Sequence, residues 1–353
     1  MATLRELCAE YCRVQQYELT HSTRQTARRA CVLFDKWAGS PEVAGLSRQA
    51  GDGYKNWLVS TGRGKNTANM YLRAIQALCN WAVETDRLAV NPLAGCRQFR
   101  VTRKAVTIYE DWQFERMLHC LPRPTKADPD RDLRWLGLLW GARTTGFRRG
   151  CLLNLTGPNV RGGMVWVEPK GKTAETWPWE PKDREIRKVP LAPQFAEVLA
   201  YFRGRTYPLV APSMAERLLR WQRDGRPLDD WAPWRKLPEL NFRRVFVGIQ
   251  RRAFGRQIGD WHQFRRTYTT ALAEVLPDKA IMELTGHSRR ETLDPYTAVR
   301  SSHWRAAYEC VAGVLKKGPG RIQLLRPSHV TAPWRGPGLE GQGPDWAVQD
   351  SNL

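Results

Sequence analysis

The sequence lacks the features that mark several whole classes of protein. Its 353 residues include eight cysteines, but these form no C-x-x-C pair and have no histidine at a spacing that would complete a zinc site. No apolar run approaches the ~20 residues of a membrane span, the first residues do not resemble a signal peptide, and no internal repeat is evident. We therefore expect reduced, buried cysteines, no bound metal or cofactor, and a cytoplasmic protein without membrane attachment.

Acidic residues are also few. Lysine and arginine number 56 against 35 aspartates and glutamates, which gives a net charge of +21, and the basic residues are spread along the whole chain. Distributed positive charge gains most from a partner with negative charge along its length, because neutralised phosphates release condensed counterions. The charge therefore favours a nucleic acid as the partner, and a basic protein that is merely soluble is the alternative.

The apolar pattern of residues 1–95 predicts a small all-helical domain. Apolar residues recur at intervals of three and four, for example at Tyr71, Ile75 and Leu78. Glycine-rich or polar breaks divide the domain into about four helices. These breaks lie at His21-Ser22, Gly39 to Pro41, Gly51 to Gly53 and Gly62 to Gly64.

The rest of the chain has a different pattern. Residues 96–106 form a basic strip that we interpret as a domain linker, lying either on a phosphate backbone or in solvent. Residues 107–317 mix helical patterns with strand-like alternation at 164–168 and 186–191, and residues 318–353 are rich in glycine and proline, which predicts a flexible tail. The expected fold class is mainly α with a small antiparallel β-sheet, as a helical domain followed by an α+β domain.

Three short segments bear on function, and the first surrounds Arg148. A helix is predicted to end near Thr144, Gly146 permits a sharp turn, and a new helix starts close to Arg148 between apolar neighbours. The arginine is thus held at a junction. Its guanidinium group fits two phosphate oxygens, and pairing with a carboxylate is the alternative.

The second segment is Asp260 to Thr270. Asp260 and Gln263 have the spacing of a capping box, so His262 and Arg265 are predicted to lie one turn apart on one face at the start of a helix. The helix N-terminus adds partial positive charge there, which suits an anion. A solvated polar face is the alternative.

The third segment runs from Leu284 to Thr297. Ser288 and Glu291 form another potential capping box, which places His287 just before a short helix, and Pro295 ends that helix before Tyr296. Most tyrosines are core or interface residues, so only the spacing from the other segments singles out Tyr296.

Taken together, these segments resemble the signature of the tyrosine recombinase (phage integrase) family. Arg148, His262-x-x-Arg265, and Gly286-His287 followed nine residues later by Tyr296 match it in order, type and spacing. The resemblance implies a helical core-binding domain at 1–95 and a catalytic domain at 107–317. It also implies a site-specific DNA recombinase, or integrase, acting as a tetramer on double-stranded DNA through a Holliday junction.

The resemblance further implies a catalytic lysine in a β-hairpin between the first two segments. Lys182 is the candidate because of its distance from the Val189-Pro190-Leu191 strand, and Lys170 and Lys172 are rivals because the hairpin is lengthened here. An exposed lysine without a role is the alternative. One departure concerns Cys151, which stands three positions after Arg148, where the family often has an acidic residue that helps to orient the site.

Cleavage of a phosphodiester by a tyrosine needs countercharge for the phosphate and an acid for the leaving oxygen. Tyr296 is expected to form a 3′-phosphotyrosine, Arg148, Arg265 and His287 to clamp the phosphate, Lys182 to protonate the leaving oxygen and His262 to help move the tyrosine proton. Further DNA contacts are expected from Lys65, Arg103, Lys104, Arg243, Arg244 and Arg251. The competing functions are a type IB topoisomerase and a DNA-binding accessory protein that has lost catalysis.

Overall fold

The computed structural model describes residues 3–102, 106–182, 186–225 and 232–286. The chain divides into two compact units, Met1–Ala105 and Val106–Leu353. Within the described residues, no helix combines the length and apolar character needed to cross a membrane.

Four helices form the first unit, as the sequence predicts, and capping residues set where they begin. Thr3 and Glu6 complete a capping box before the first helix, because the Thr3 side chain accepts from the Glu6 amide and the Glu6 carboxylate accepts from the Thr3 amide at 2.8 Å. Thr20 and Ser47 cap the second and third helices by a single bond each, which their side chains accept from the amides of Thr23 and Ala50. The helices are α1 (Leu4–Val14), α2 (His21–Ala38), α3 (Arg48–Ser60) and α4 (Lys65–Glu84).

The break predicted at Gly51 to Gly53 is wrong, because α3 continues through both glycines. A Cβ at Gly51 would collide with the Cys96 sulfur, and a Cβ at Gly53 would lie 2.7 Å from Cζ2 of Trp37. These glycines therefore permit close packing of the helix and do not interrupt it. Single-sequence patterns cannot separate the two uses.

The core of the first unit lies between α4 and the other three helices. Leu72, Ile75 and Leu78 of α4 are fully buried, as expected of an amphipathic helix that faces a core. Tyr54 of α3 donates its hydroxyl to the Ala30 carbonyl of α2 at 2.9 Å, so that its buried polar atom is satisfied.

The segment after α4 packs on the first unit as far as Phe99. Asn69 of α4 donates to the Phe99 carbonyl at 2.9 Å and accepts from the Phe99 amide at 2.8 Å. Cys96 is buried in the core of the same unit. The assignment of residues 96–106 as a linker stays a prediction, and Arg103 and Lys104 lie outside the described residues, as does the proposed tail.

The second unit combines helices with a small sheet, which confirms the expected fold class. The strands β1 (Val160–Arg161), β2 (Met164–Val167) and β3 (Arg187–Pro190) pair antiparallel in that order. The helices are α5 (Asp111–Leu118), α6 (Arg131–Thr145), α7 (Arg149–Leu153), α8 (Pro193–Tyr201), α9 (Pro212–Arg223), α10 (Ala232–Phe254), α11 (His262–Ala273) and α12 (Asp278–Thr285).

One apolar cluster joins these elements. Leu139 of α6, Val165 of β2, Val189 of β3, Ile249 of α10 and Phe264 of α11 are all fully buried within it. Burial of apolar area on this scale is the main stabilising term of the unit. It holds α6, α7, β3 and α11 in one arrangement, with Arg148 at the junction of α6 and α7 and with His262 and Arg265 on α11.

Candidate active site

Arg148 lies at the junction that the sequence predicts. Helix α6 ends at Thr145, and Gly146 caps it with a left-handed φ of 61°, which favours glycine. The Tyr268 ring also packs so closely on Gly146 that a Cβ would lie 2.9 Å from its Cγ. Arg148 is then the extended N-cap residue of α7, at φ −62° and ψ 150°. The turn therefore fixes the backbone of this half-buried arginine.

Arg265 connects the three predicted segments. Its side chain is only 2% exposed, and it donates through Nη1 to the Gly146 carbonyl at 3.3 Å. Through Nη2 it donates to the Thr285 carbonyl. Gly146 stands two residues before Arg148, and Thr285 stands two residues before His287. One buried guanidinium group thus joins the turn at Arg148 to the end of α12.

The loop before α11 is anchored by a residue that sequence reasoning missed. Gln250 of α10 is fully buried, and its side-chain oxygen accepts from the amides of Ile258 and Gly259 at 2.7 and 3.0 Å. Its nitrogen donates to the Gly259 carbonyl at 3.1 Å. Three bonds from this one side chain therefore hold the loop that leads to His262, and the Tyr109 hydroxyl adds a bond to the Asp260 carbonyl at 2.9 Å. A glutamine inside a basic helix gives no sequence signal of this role.

The capping box predicted at the start of α11 is only half present. Helix α11 begins at His262 with Trp261 as its N-cap residue, and Asp260, one residue earlier, accepts from the Gln263 amide through Oδ1 at 3.0 Å. The Gln263 side chain, however, donates to the Ile108 carbonyl at 2.8 Å. The reciprocal bond is replaced because the buried Gln263 tethers α11 to the segment that precedes α5.

His262 is electrostatically suited to receive a proton. The residue is exposed overall, but partial desolvation of its ring, together with the charges of Arg265, Arg266 and Arg148, lowers its pKa, and Asp260 opposes this. The imidazole is then neutral at neutral pH. The bond from Arg265 to the Gly146 carbonyl places the first two segments close together.

The structure describes the third segment only to its beginning. Helix α12 ends at Thr285, whose hydroxyl donates to the Ile281 carbonyl at 2.5 Å, and Gly286 caps it with φ 64°. His287 and Tyr296 lie outside the described residues. Their assignments stay predictions.

The three candidate lysines occupy different parts of the extended β2–β3 hairpin. Beyond β2 and β3, Lys170 bridges to Trp179, and the tip that follows contains exposed Lys172. Lys182 is exposed in a turn on the returning segment. Lys170 is the most buried of the three, donates its amine to the Asn154 carbonyl, and has its pKa lowered to about 7 by desolvation, which Glu168 opposes.

The extended hairpin is held by a cluster that the sequence did not predict. Trp177 is 1% exposed and stacks on Tyr207 with ring centroids 3.5 Å apart. Its Nε1 donates to Oδ1 of Asn154 at 2.7 Å. Asn154 is the C-cap residue of α7. The hairpin is therefore attached to α7, whose N-cap residue is Arg148.

The other residues predicted to contact DNA are on the surface where described. Lys65 begins α4 in the first unit, and Arg243, Arg244 and Arg251 lie on α10 in the second; all four are exposed. Exposure is compatible with phosphate contacts. Their role in DNA binding stays a prediction.

Cys151 stands where the tyrosine recombinase family often has an acidic residue, and it is buried on α7. Its sulfur accepts from Nη2 of Arg187 at 3.6 Å. Arg187 was missed, although a signal existed: it stands two residues before Val189 and so shares the inward face of β3.

Comparison with known proteins identifies similar chains. No protein-family model matches this chain. The tyrosine recombinase XerD of Staphylococcus aureus is 24% identical over 254 residues, which cover 71% of this chain and 78% of that protein.

Solved structures share the fold at lower identity. The Tn1549 transposon integrase in complex with transposon right end DNA superimposes with a TM-score of 0.60 at 17% identity, covering 89% of this chain and 100% of that one. A lambda integrase dimer bound to a COC′ core site gives a TM-score of 0.58 at 14% identity, covering 82% and 96%. A lambda integrase tetramer bound to a Holliday junction gives 0.54 at 13%, covering 82% and 78%.

Proposed function

We propose that this chain, whose fold is that of the tyrosine recombinases, is a site-specific DNA recombinase that cuts and rejoins strands through a 3′-phosphotyrosine. The observation that carries the proposal is Arg265, whose buried guanidinium group bonds to the carbonyls of Gly146 and Thr285. These bonds tie the turn before Arg148 to the end of α12, which supports a common site for Arg148, Arg265 and His287. Converging cations of this kind match the charge of a phosphate in its transition state.

In the proposed reaction, the Tyr296 oxygen attacks the scissile phosphorus and the bond from phosphorus to the 5′ oxygen breaks. Arg148, Arg265 and His287 stabilise the negative charge on the non-bridging oxygens. Neutral His262 accepts the tyrosine proton, and Lys182 gives a proton to the 5′ oxygen. Attack by a 5′ hydroxyl of another strand reverses these steps, so no nucleotide cofactor is needed.

The assembly is proposed to be a tetramer on double-stranded DNA that proceeds through a Holliday junction. Support comes from the lambda integrase tetramer, which has the same fold and was solved on such a junction. The net charge of +21 gives each protomer the long-range attraction that DNA binding requires.

The test is covalent trapping on DNA. A library of nicked duplexes of random sequence is incubated with the full chain, and DNA that stays attached after denaturation is recovered and amplified. Cleavage beside a nick releases a short fragment, so the adduct persists. We expect adducts with the natural chain and none with Tyr296→Phe.

Tyr201→Phe is the matched control, because Tyr201 lies in the same unit with its hydroxyl bonded to Asp130 at 2.9 Å. It should form adducts normally. Adducts that survive Tyr296→Phe would refute the nucleophile, and the absence of any adduct from the natural chain would refute the proposed function.

A sulfur-bridged version of the selected duplex assigns the lysine. A thiolate leaves without protonation, so loss of the general acid slows cleavage of ordinary DNA by about 10² to 10⁴-fold but spares the sulfur-bridged DNA. We expect this pattern for Lys182→Ala. If Lys172→Ala shows it instead, the acid is the lysine at the hairpin tip.

A further inference from the structure

Arg187 is buried where a strand of this length would ordinarily carry an apolar side chain. It is 4% exposed on the inward face of β3, between Ile186, which is 62% exposed, and the exposed Lys188. Moving a cation out of water costs several kcal/mol unless its donors are satisfied. The contacts of Arg187 therefore indicate what the burial achieves.

These contacts connect β3 to α7 and to α12, two other elements of the proposed site. Nη2 donates to the sulfur of Cys151 at 3.6 Å, and Nη1 donates to the Thr285 carbonyl at 3.3 Å. Cys151 is on α7, three residues after Arg148. Thr285 is the last residue of α12, two residues before His287. The side chain thus links β3 to the helix of one proposed phosphate ligand and to the approach to another.

Two guanidinium groups meet at the same acceptor. The Thr285 carbonyl accepts from Arg187 and also from Arg265, which is proposed to bind the phosphate. A helix-terminal carbonyl carries partial negative charge, so it suits two cationic donors. Its position sets where Arg265 points and where the chain turns at Gly286.

We propose that Arg187 is a positioning residue for strand cleavage, which orients Arg265 and the segment leading to His287 without touching DNA. This inference rests on the proposed function. It gives β3 a second role in the proposed reaction, in addition to forming one end of the extended β2–β3 hairpin that carries the candidate lysines. Removing the guanidinium group should slow the chemical step while DNA affinity is retained, because no group that meets the phosphate backbone is lost.

The test compares Arg187→Met with Lys188→Met on a nicked duplex selected by the natural chain. Lys188 is the next residue, has the same charge and lies on the opposite, exposed face of β3. At saturating DNA we expect Arg187→Met to lower the single-turnover cleavage rate by about 10 to 100-fold, as outer-shell substitutions do, with its dissociation constant for the duplex within about twofold of the natural value. Lys188→Met should cleave at the natural rate.

Milder variants keep the test decisive if Arg187→Met does not fold. Arg187→Lys retains the charge and one donor, and should recover part of the rate; Cys151→Ala removes only the sulfur. If Arg187 and Cys151 act through their contact, the variant that combines Arg187→Lys with Cys151→Ala should cleave no more slowly than the slower of the two single variants. A wild-type cleavage rate in Arg187→Met or Arg187→Lys would overturn this inference but not the proposed function. A variant that loses DNA affinity and has a lower Tm along with its lower rate would also overturn it.

The absence of any covalent adduct with the natural chain would overturn the proposed function instead.

Discussion

The buried charges in the two units of the chain have partners at different distances along the sequence. In the first unit, the fully buried positions are apolar, and the buried charges Arg24 and Asp35 bond to the loop after α1 and to exposed Arg5. In the second unit, Arg187 and Arg265 lie inside at 4% and 2% exposure. Their donors reach partners from distant parts of the sequence, namely the carbonyls of Gly146 and Thr285 and the sulfur of Cys151.

This difference suggests that buried groups in the first unit mainly stabilise the fold, whereas those in the second unit also position the residues of the proposed site. Apolar burial stabilises a fold but is non-directional, whereas a buried guanidinium group is costly to desolvate and its bonds have fixed directions. The first unit should therefore respond to substitution through its free energy of unfolding. The second should respond through the rate of the proposed chemistry.

The largest expected effect is that of Arg265→Met. Loss of one preorganised donor should slow adduct formation by about 10² to 10³-fold. The free energy of unfolding should change by less than about 2 kcal/mol, because relief from desolvation offsets the lost hydrogen bonds. Single-turnover cleavage and denaturant unfolding measure the two quantities. Arg266→Met is the control. An equal loss of rate in that variant would show that the effect does not depend on the buried guanidinium group of Arg265.

A smaller effect, and one on stability alone, is expected for Gly51→Ala in the first unit. Helix propensity predicts stabilisation by about 1 kcal/mol, but the collision with the Cys96 sulfur should instead destabilise the chain by about 1 to 3 kcal/mol. Denaturant unfolding of the full chain gives the sign. Gly51→Ala combined with Cys96→Ala should recover the loss, and a stabilised single variant would contradict the packing argument.

Counted per pH unit, the smallest effect concerns the pH dependence of stability at Lys170. Desolvation lowers its pKa from 10.5 to about 7, so between these values the unfolded chain holds more protons than the native one, and stability rises with pH. Lys170→Met lacks this rise. Its stability relative to the natural chain should decline as pH increases across that range, by about 1 kcal/mol for each pH unit.

Unfolding midpoints measured across this pH range test the prediction. Lys172→Met, at an exposed position of the same hairpin, should differ from the natural chain by a constant amount. A constant difference for Lys170→Met as well would mean that the amine is not desolvated.

Sequence reasoning succeeded where local chemistry decides the structure. The turn at Gly146 and the bond from the Gln263 amide to Asp260 depend on a few adjacent residues, and both are observed. It failed where distant residues decide. Gly51 marks close packing against Cys96, Gln263 is drawn to Ile108, and Arg187 finds its partners on α7 and α12. Long-range partners of this kind have no local signature.

The five-residue helix α7 has a consequence for synthesis. So short a helix is unstable alone, and Arg148 at its start is placed through Arg265, whose bond to Gly146 spans 119 residues. Contacts of such sequence separation form late, since they require closure of a long loop. A nascent chain whose Thr285 has not yet emerged from the ribosome therefore lacks the acceptor that orients Arg265, and the proposed site cannot assemble until that residue has been released.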